Sequence, residues 1–199
     1  MFNIKEFLNQ ITNVEGWQTL EETVGLLHIP ILVDNIEGAI VEIGSYKGKS
    51  TICLATGSNK ISINKRPVYA VDPFTHLDDN NGFISMYEKS YFDSFWGNIQ
   101  SFNLEKDIIP IKKYSNDAVQ DVPQKIAALF IDGDHSYEGI SRDIKLYANK
   151  VIPHGIIAFH DYSNPNHPDV TKVVNEFMEN SDFTLVGDYD MLRIIRKNY

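Results

Sequence analysis

The chain of 199 residues is 43% hydrophobic and 23% charged, with a formal net charge of −9. That size and balance fit one globular domain with its own core and leave little room for a second. The acidic charge, without any basic stripe, argues against a nucleic-acid partner, and no apolar run nears the ~20 residues of a membrane span. Cys53 is the only cysteine, which excludes an intrachain disulfide and a thiolate zinc cluster. The opening Met1-Phe2-Asn3-Ile4-Lys5-Glu6-Phe7 lacks a signal-peptide apolar centre, so cytoplasmic residence is the expectation.

In residues 4–35, Ile4, Phe7, Leu8 and Ile11, then Leu20, Val24 and Leu27, recur at helical spacing. Gly16 and Pro30 punctuate the stretch, which predicts two or three short helices forming an N-terminal extension over 1–36. From Ala39 the texture changes. β-rich apolar runs occupy 39–43, 68–71, 108–111, 127–131 and 155–159, with helical or loop segments between them, the pattern of β-α-β units in a parallel sheet. Residues 183–186 and 191–195, joined by Gly187-Asp188-Tyr189-Asp190, predict an antiparallel hairpin. The fold class is therefore α/β, a Rossmann-like doubly wound sheet of seven strands, five parallel plus the C-terminal hairpin, in a single domain over 1–199.

One connection, residues 73–103, is longer than its neighbours. Its polar tip, Leu77-Asp78-Asp79-Asn80-Asn81-Gly82, precedes an aromatic stripe of Tyr87, Tyr91, Phe95 and Ile99 spaced by four, with Phe92 and Trp96 beside it. A helix packed on the sheet accounts for the stripe, while His76 and the tip read as a substrate lid.

Two strands end abruptly in acids and histidine: Phe130-Ile131-Asp132-Gly133-Asp134-His135-Ser136-Tyr137 and Phe159-His160-Asp161-Tyr162. Ligands of open α/β sheets bind beyond the carboxyl ends of the strands. Asp132, Asp134, His135, His160 and Asp161 are thus expected around one crevice. Ser136 reads as a helix cap, Cys53 as a small core residue, Lys47 and Lys49 as solvated, and His28, His154 and His167 as surface or loop residues.

The stretch Val41-Glu42-Ile43-Gly44-Ser45-Tyr46-Lys47-Gly48-Lys49-Ser50-Thr51 is a strand, a glycine turn and a helix start. A dinucleotide loop wants G-x-G-x-x-G, which is not present here. A phosphate loop finds its tail in Gly48-Lys49-Ser50, but Gly44 and Gly48 are one residue too close. An acid two residues before G-x-x-x-G, followed by Asp72 at the end of the next strand, resembles motif I of class I S-adenosylmethionine-dependent methyltransferases. A carboxylate there can accept both ribose hydroxyls.

The segment 132–162 is similar to the macrocin O-methyltransferase-like branch of those enzymes, related to the catechol O-methyltransferase-like fold. The resemblance spans Glu15-Gly16-Trp17 to Arg196-Lys197. It implies O-methylation of a small-molecule hydroxyl, on a sugar or secondary metabolite. The N-terminal helices and the aromatic stripe are the surfaces expected to pair two copies as a homodimer. Carried over, S-adenosylmethionine is held by Glu42, Gly44, Ser45, Gly48, Asp72, Ser115 and Asp132. A divalent cation, magnesium or manganese, is held by Asp132, His160 and Asp161, and Asp134 or His135 is the base. His160 departs from the all-oxygen pattern, which either tilts the site towards manganese, iron or zinc or leaves it without a tight metal, and His160 is a third candidate for the base. A phosphate-loop hydrolase, or a non-catalytic or hydroxylase-like member of the fold, is the alternative.

Overall fold

Strands that read as unbroken apolar runs need cover on both faces, and helices between successive parallel strands supply it. A computed structural model describes residues 2–75 and 90–199. The strands are β1 Ala39–Ile43, β2 Val68–Val71, β3 Ile108–Ile111, β4 Ile126–Ile131, β5 Val151–Phe159, β6 Phe183–Tyr189 and β7 Leu192–Lys197. They form one sheet in the order β3-β2-β1-β4-β5-β7-β6. β1 to β5 run parallel, and β7 is antiparallel to both β5 and β6. This is the expected Rossmann-like arrangement.

The helices are α1 Ile4–Ile11, α2 Leu20–Leu32, α3 Lys49–Thr56, α4 Phe92–Ser101, α5 Ser115–Ala118, α6 Tyr137–Tyr147 and α7 Pro168–Glu179. Side chains alternate across the sheet, so adjacent strand residues enter different cores. Ile40, Phe130 and Ile156 pack with Phe7, Leu26, Ile52 and Phe95 of α1 to α4. Val41, Leu129 and Ile157 pack instead with Ile140, Ile144 and Val174 of α6 and α7. No helix among the described residues is long and apolar enough to cross a membrane.

Three local expectations need correction. Pro30 lies inside α2 and does not end it. In the last turn it removes one helical hydrogen bond where the ladder is already running out. The hairpin turn is tighter than 187–190, because a register shift between Leu185 and Gly187 keeps Tyr189 paired with Leu192. Asp190, at φ 55°, makes the reversal. The aromatic helix begins at Phe92 and buries Phe95 and Ile99, while His76, the tip 77–82 and Tyr87 lie outside the described residues.

The glycine turn after β1 is built on carboxylates. Gly44 has φ 86°, and a Cβ on it would stand 2.0 Å from the Asp132 carbonyl oxygen, so only glycine fits. Asp72 takes the Ser45 and Tyr46 amides on one oxygen at 3.0 and 2.8 Å. Its other oxygen takes the Phe74 amide and the Tyr91 hydroxyl, both at 2.6 Å. Beneath the turn, Glu42 is wholly buried and accepts the hydroxyls of Ser45 and Thr51. Burial pushes its carboxyl up to about 7, even though the Ser50, Thr51 and Ser45 hydroxyls oppose the rise.

Gly44→Ala should lower stability by at least ~1 kcal/mol, through strained φ and overpacking. An unchanged urea midpoint would show that the turn does not press on Asp132. A raised Glu42 pKa means that the folded chain keeps a proton the unfolded chain releases, so this group makes stability fall as pH rises from 4.5 towards about 7. Glu42→Gln should flatten that slope and be more stable than the parent at pH ~8, as read from urea unfolding across pH. An identical slope in both proteins would contradict the assignment.

Candidate active site

Hydrogen bonding continues one residue beyond the strands. The Asp132 amide donates to the Ile43 carbonyl at 2.8 Å and the His160 amide to that of Ile131 at 3.1 Å. Asp132 therefore stands beside the glycine turn and His160 beside Asp132, at the carboxyl edge where the strand order reverses between β1 and β4. Asp161 follows in the left-handed region at φ 58°, held by the Asn164 side-chain amide.

Asp132, His135, His160 and Asp161 each offer a ligand atom, and the four atoms lie within 4.8 Å of one another. His160 Nδ1 is 3.0 Å from Asp132 Oδ1 and 3.1 Å from Asp161 Oδ2. His135 Nε2 is 3.1 Å from Asp161 Oδ2 and 3.4 Å from Asp132 Oδ1. Two nitrogens and two carboxylates in this space are a donor set suited to a first-row divalent ion.

The charges are strongly coupled. Burial opposes ionisation of Asp132, but His160 and His135 outweigh it and hold the carboxyl below its ordinary value. Burial also opposes ionisation of Asp161, yet hydrogen bonds from His135 and His160 hold it well below the carboxylate range. Bonds to Asp132 and Asp161 push His135 up to about 9. For His160 burial acts downward, and the Asp132 charge, with the carboxylates of Asp161 and Glu22 also close to the ring, carries it up to about 12. The imidazoles thus act as counter-cations to the two acids.

This cluster opens on a cavity of about 800 Å³, whose lining also includes Gly44, Ser45, Asp72, Ser115 and Asp134. Glu42 and Gly48 are not part of the lining. Glu42 supports the turn from below, and Gly48, at φ 87°, starts α3 against Phe95. Ser115 donates to the buried Asp143. Asp134 stays outside the four-donor cluster, accepting the Ser136 amide at 3.0 Å with Arg142 at 3.7 Å. Ser136 caps α6 and Cys53 is buried, as expected.

Other placements differ from expectation. Lys47 pairs with Glu15, and Lys49 reaches the Gly16 and Gln18 carbonyls at 3.2 and 3.3 Å. Lys49 therefore ties down the segment before α2 and is not simply solvated. With the Ser45 and Tyr46 amides on Asp72, this disfavours a phosphate-loop reading. His28 is half-buried against Tyr189. His167 packs against His135 with ring centres 4.3 Å apart and the planes tilted by 33°. Trp17, 72% exposed, lies over Tyr46 at the cavity. Glu22 reaches His160 Nε2 at 3.4 Å. Thr19 and Glu22 do carry the spacing of a capping box, but a cap alone gives no hint of contact with a residue 138 positions on.

Solved structures share the fold. The O-methyltransferase NovP superposes with a TM-score of 0.70 at 16% identity, covering 90% of this chain and 81% of NovP. An O-methyltransferase from Bacillus cereus, in complex with SAH, gives 0.69 at 16% identity over 97% of this chain and 90% of that one. TomG from Streptomyces achromogenes, in complex with SAM, gives 0.66 at 15% identity over 92% and 82%. A protein of Acanthamoeba polyphaga mimivirus is 30% identical over 145 residues, 69% of this chain. That match spans only 58% of the viral protein's length. Residues 41–162, from β1 through the paired His160-Asp161, match the family described as a methyltransferase domain, and the chain belongs to that family.

Proposed function

We propose that the chain transfers a methyl group from S-adenosylmethionine to a hydroxyl of a small molecule, with a divalent cation at Asp132, His160 and Asp161. The observation that carries this reading is the meeting of the glycine turn and the four-donor cluster on one cavity. Gly44 and Ser45 would lie along the amino-acid end of the cofactor. Asp72 would accept the ribose hydroxyls, exchanging the Tyr91 hydroxyl for them, and Ser115 would meet the adenine. Magnesium or manganese, when bound, would lower the pKa of the acceptor hydroxyl.

Of the two proposed proton acceptors His135 is the better placed, because a cation bound at the cluster would take over as counter-charge to Asp132 and Asp161 and leave this imidazole free to accept a proton. Its side chain is one-third exposed to the cavity, while Asp134 is engaged by Ser136 and Arg142. Trp17 and Tyr46 offer flat apolar faces at the cavity, suited to a sugar or aromatic acceptor. TomG, an O-methyltransferase involved in tomaymycin synthesis, supports a secondary-metabolite acceptor. Cytoplasmic residence and a homodimer through Leu20, Val24 and Ile31, exposed on α2, complete the proposal.

Calorimetry should show binding of S-adenosylmethionine and none of ATP, with manganese taken up separately. Uptake of ATP alone would replace this reading by a nucleotide-hydrolase one. In a panel of phenolic and sugar acceptors, His135→Ala should lower turnover by roughly 10²-fold or more with cofactor affinity unchanged. A larger loss in Asp134→Ala would assign the proton to Asp134.

A further inference from the structure

Two buried polar atoms behind His160 have no hydrogen-bond partner among the described residues: its own Nε2 and Glu22 Oε1. They face one another at 3.4 Å. Glu22 has no exposed surface, and its other oxygen already serves the start of α2 by accepting the Thr19 amide at 2.7 Å. A capping box needs that one oxygen and works equally well at a helix start open to water. Burying the second oxygen against an imidazole calls for another reason.

We infer that Glu22 is a positioning residue, which accepts the Nε2 proton of His160 and so leaves Nδ1 as the nitrogen offered to the cation. This rests on the proposed cation site and adds to it a residue of the N-terminal extension. Nδ1 is the nitrogen that points into the cluster, between Asp132 and Asp161. An imidazole ligates through a bare nitrogen, so its proton must sit on the other one. A carboxylate behind the ring holds that proton in place and strengthens the ligand. Gln18 acts similarly on Asp132, donating to Oδ2 at 3.3 Å. Residues 18 and 22 thus orient two neighbouring ligands, and a fixed imidazole nitrogen favours manganese over magnesium.

The test is calorimetric titration of manganese into chelator-treated protein as wild type, Glu22→Gln, His160→Asp and the double variant. Glutamine keeps an oxygen for the Thr19 amide, since it serves at this capping-box position, but it presents an amide N–H to Nε2. Glu22→Gln should weaken manganese by roughly ten- to a hundredfold. In the His160→Asp background it should change affinity by less than about twofold. Equal losses in both backgrounds, or no loss in the first, overturn the inference. A wild type that takes up no manganese overturns the cation site itself, and this inference with it. Should Glu22→Gln fail to fold, nitrogen NMR of the zinc-loaded wild type decides. His160 is expected with a protonated Nε2 and a metal-bound Nδ1, and the opposite tautomer overturns the assignment.

Discussion

Asp132 and Asp161 are carboxylates brought to the ends of adjacent buried strands, both within about 3 Å of one nitrogen, His160 Nδ1. Like charges so close, at the edge of a low-dielectric core, both stay ionised only with positive charge between them. Two imidazoles supply the charge, and neutral amides add hydrogen-bond donors. His135 and His160 bond to both acids, Gln18 donates to the first, and Asn164 donates to the second. Glu22 then sets a third carboxylate behind His160. Three acids therefore share two imidazoles, and the cation proposed above would add to the positive charge they demand.

The glycine turn applies a related constraint with the opposite outcome. Backbone amides exposed by a tight turn attract anions, and a loop that cradles phosphate must keep them free. Here Asp72 accepts the Ser45 and Tyr46 amides, so the turn is neutralised from within and its shape is fixed before any ligand arrives. Glu42 stiffens the same turn through hydroxyls. A loop of this kind offers a surface for close approach of an uncharged or cationic ligand, and Gly44 supplies that surface through the absence of a side chain. A sulfonium cofactor agrees with this chemistry, and a polyphosphate does not.

The sheet was legible in the sequence because its signals are local. β1, β2 and β3 have the boundaries that their apolar runs predict, although β3, at the sheet edge, leaves Ile109 exposed. The hairpin turn was misplaced because the register shift at Leu185 and Gly187 depends on pairing with β7. Strand ends also announced the acids and histidines of the cluster. Which way a motif side chain faces was not legible: Glu42 and Gly48 belong to the glycine motif by position yet stand outside the cavity lining. Glu22 and His167 were hidden for another reason. A helix cap fully explains the first in one dimension, and only folding packs the second against His135.

The N-terminal extension is accordingly part of the site rather than an outer layer. Glu15 binds Tyr46 and Lys47 of the glycine turn, and Lys49 returns to the Gly16 and Gln18 carbonyls. Trp17 lies on Tyr46, Gln18 reaches Asp132, and Glu22 reaches His160. One eight-residue segment, 15–22, thus touches both the turn proposed for the cofactor and the cluster proposed for the cation. Its register is fixed in turn by α1 and α2, whose Phe7, Ile11 and Leu26 lie in the core on the same face of the sheet. Order in this segment and geometry of the cluster are therefore linked, because Glu22, anchored to the Thr19 amide, stands 3.4 Å from the buried His160 ring. The hydrophobic packing of two helices distant in sequence from the strand ends thus seats the carboxylate that stands behind the imidazole lying between Asp132 and Asp161.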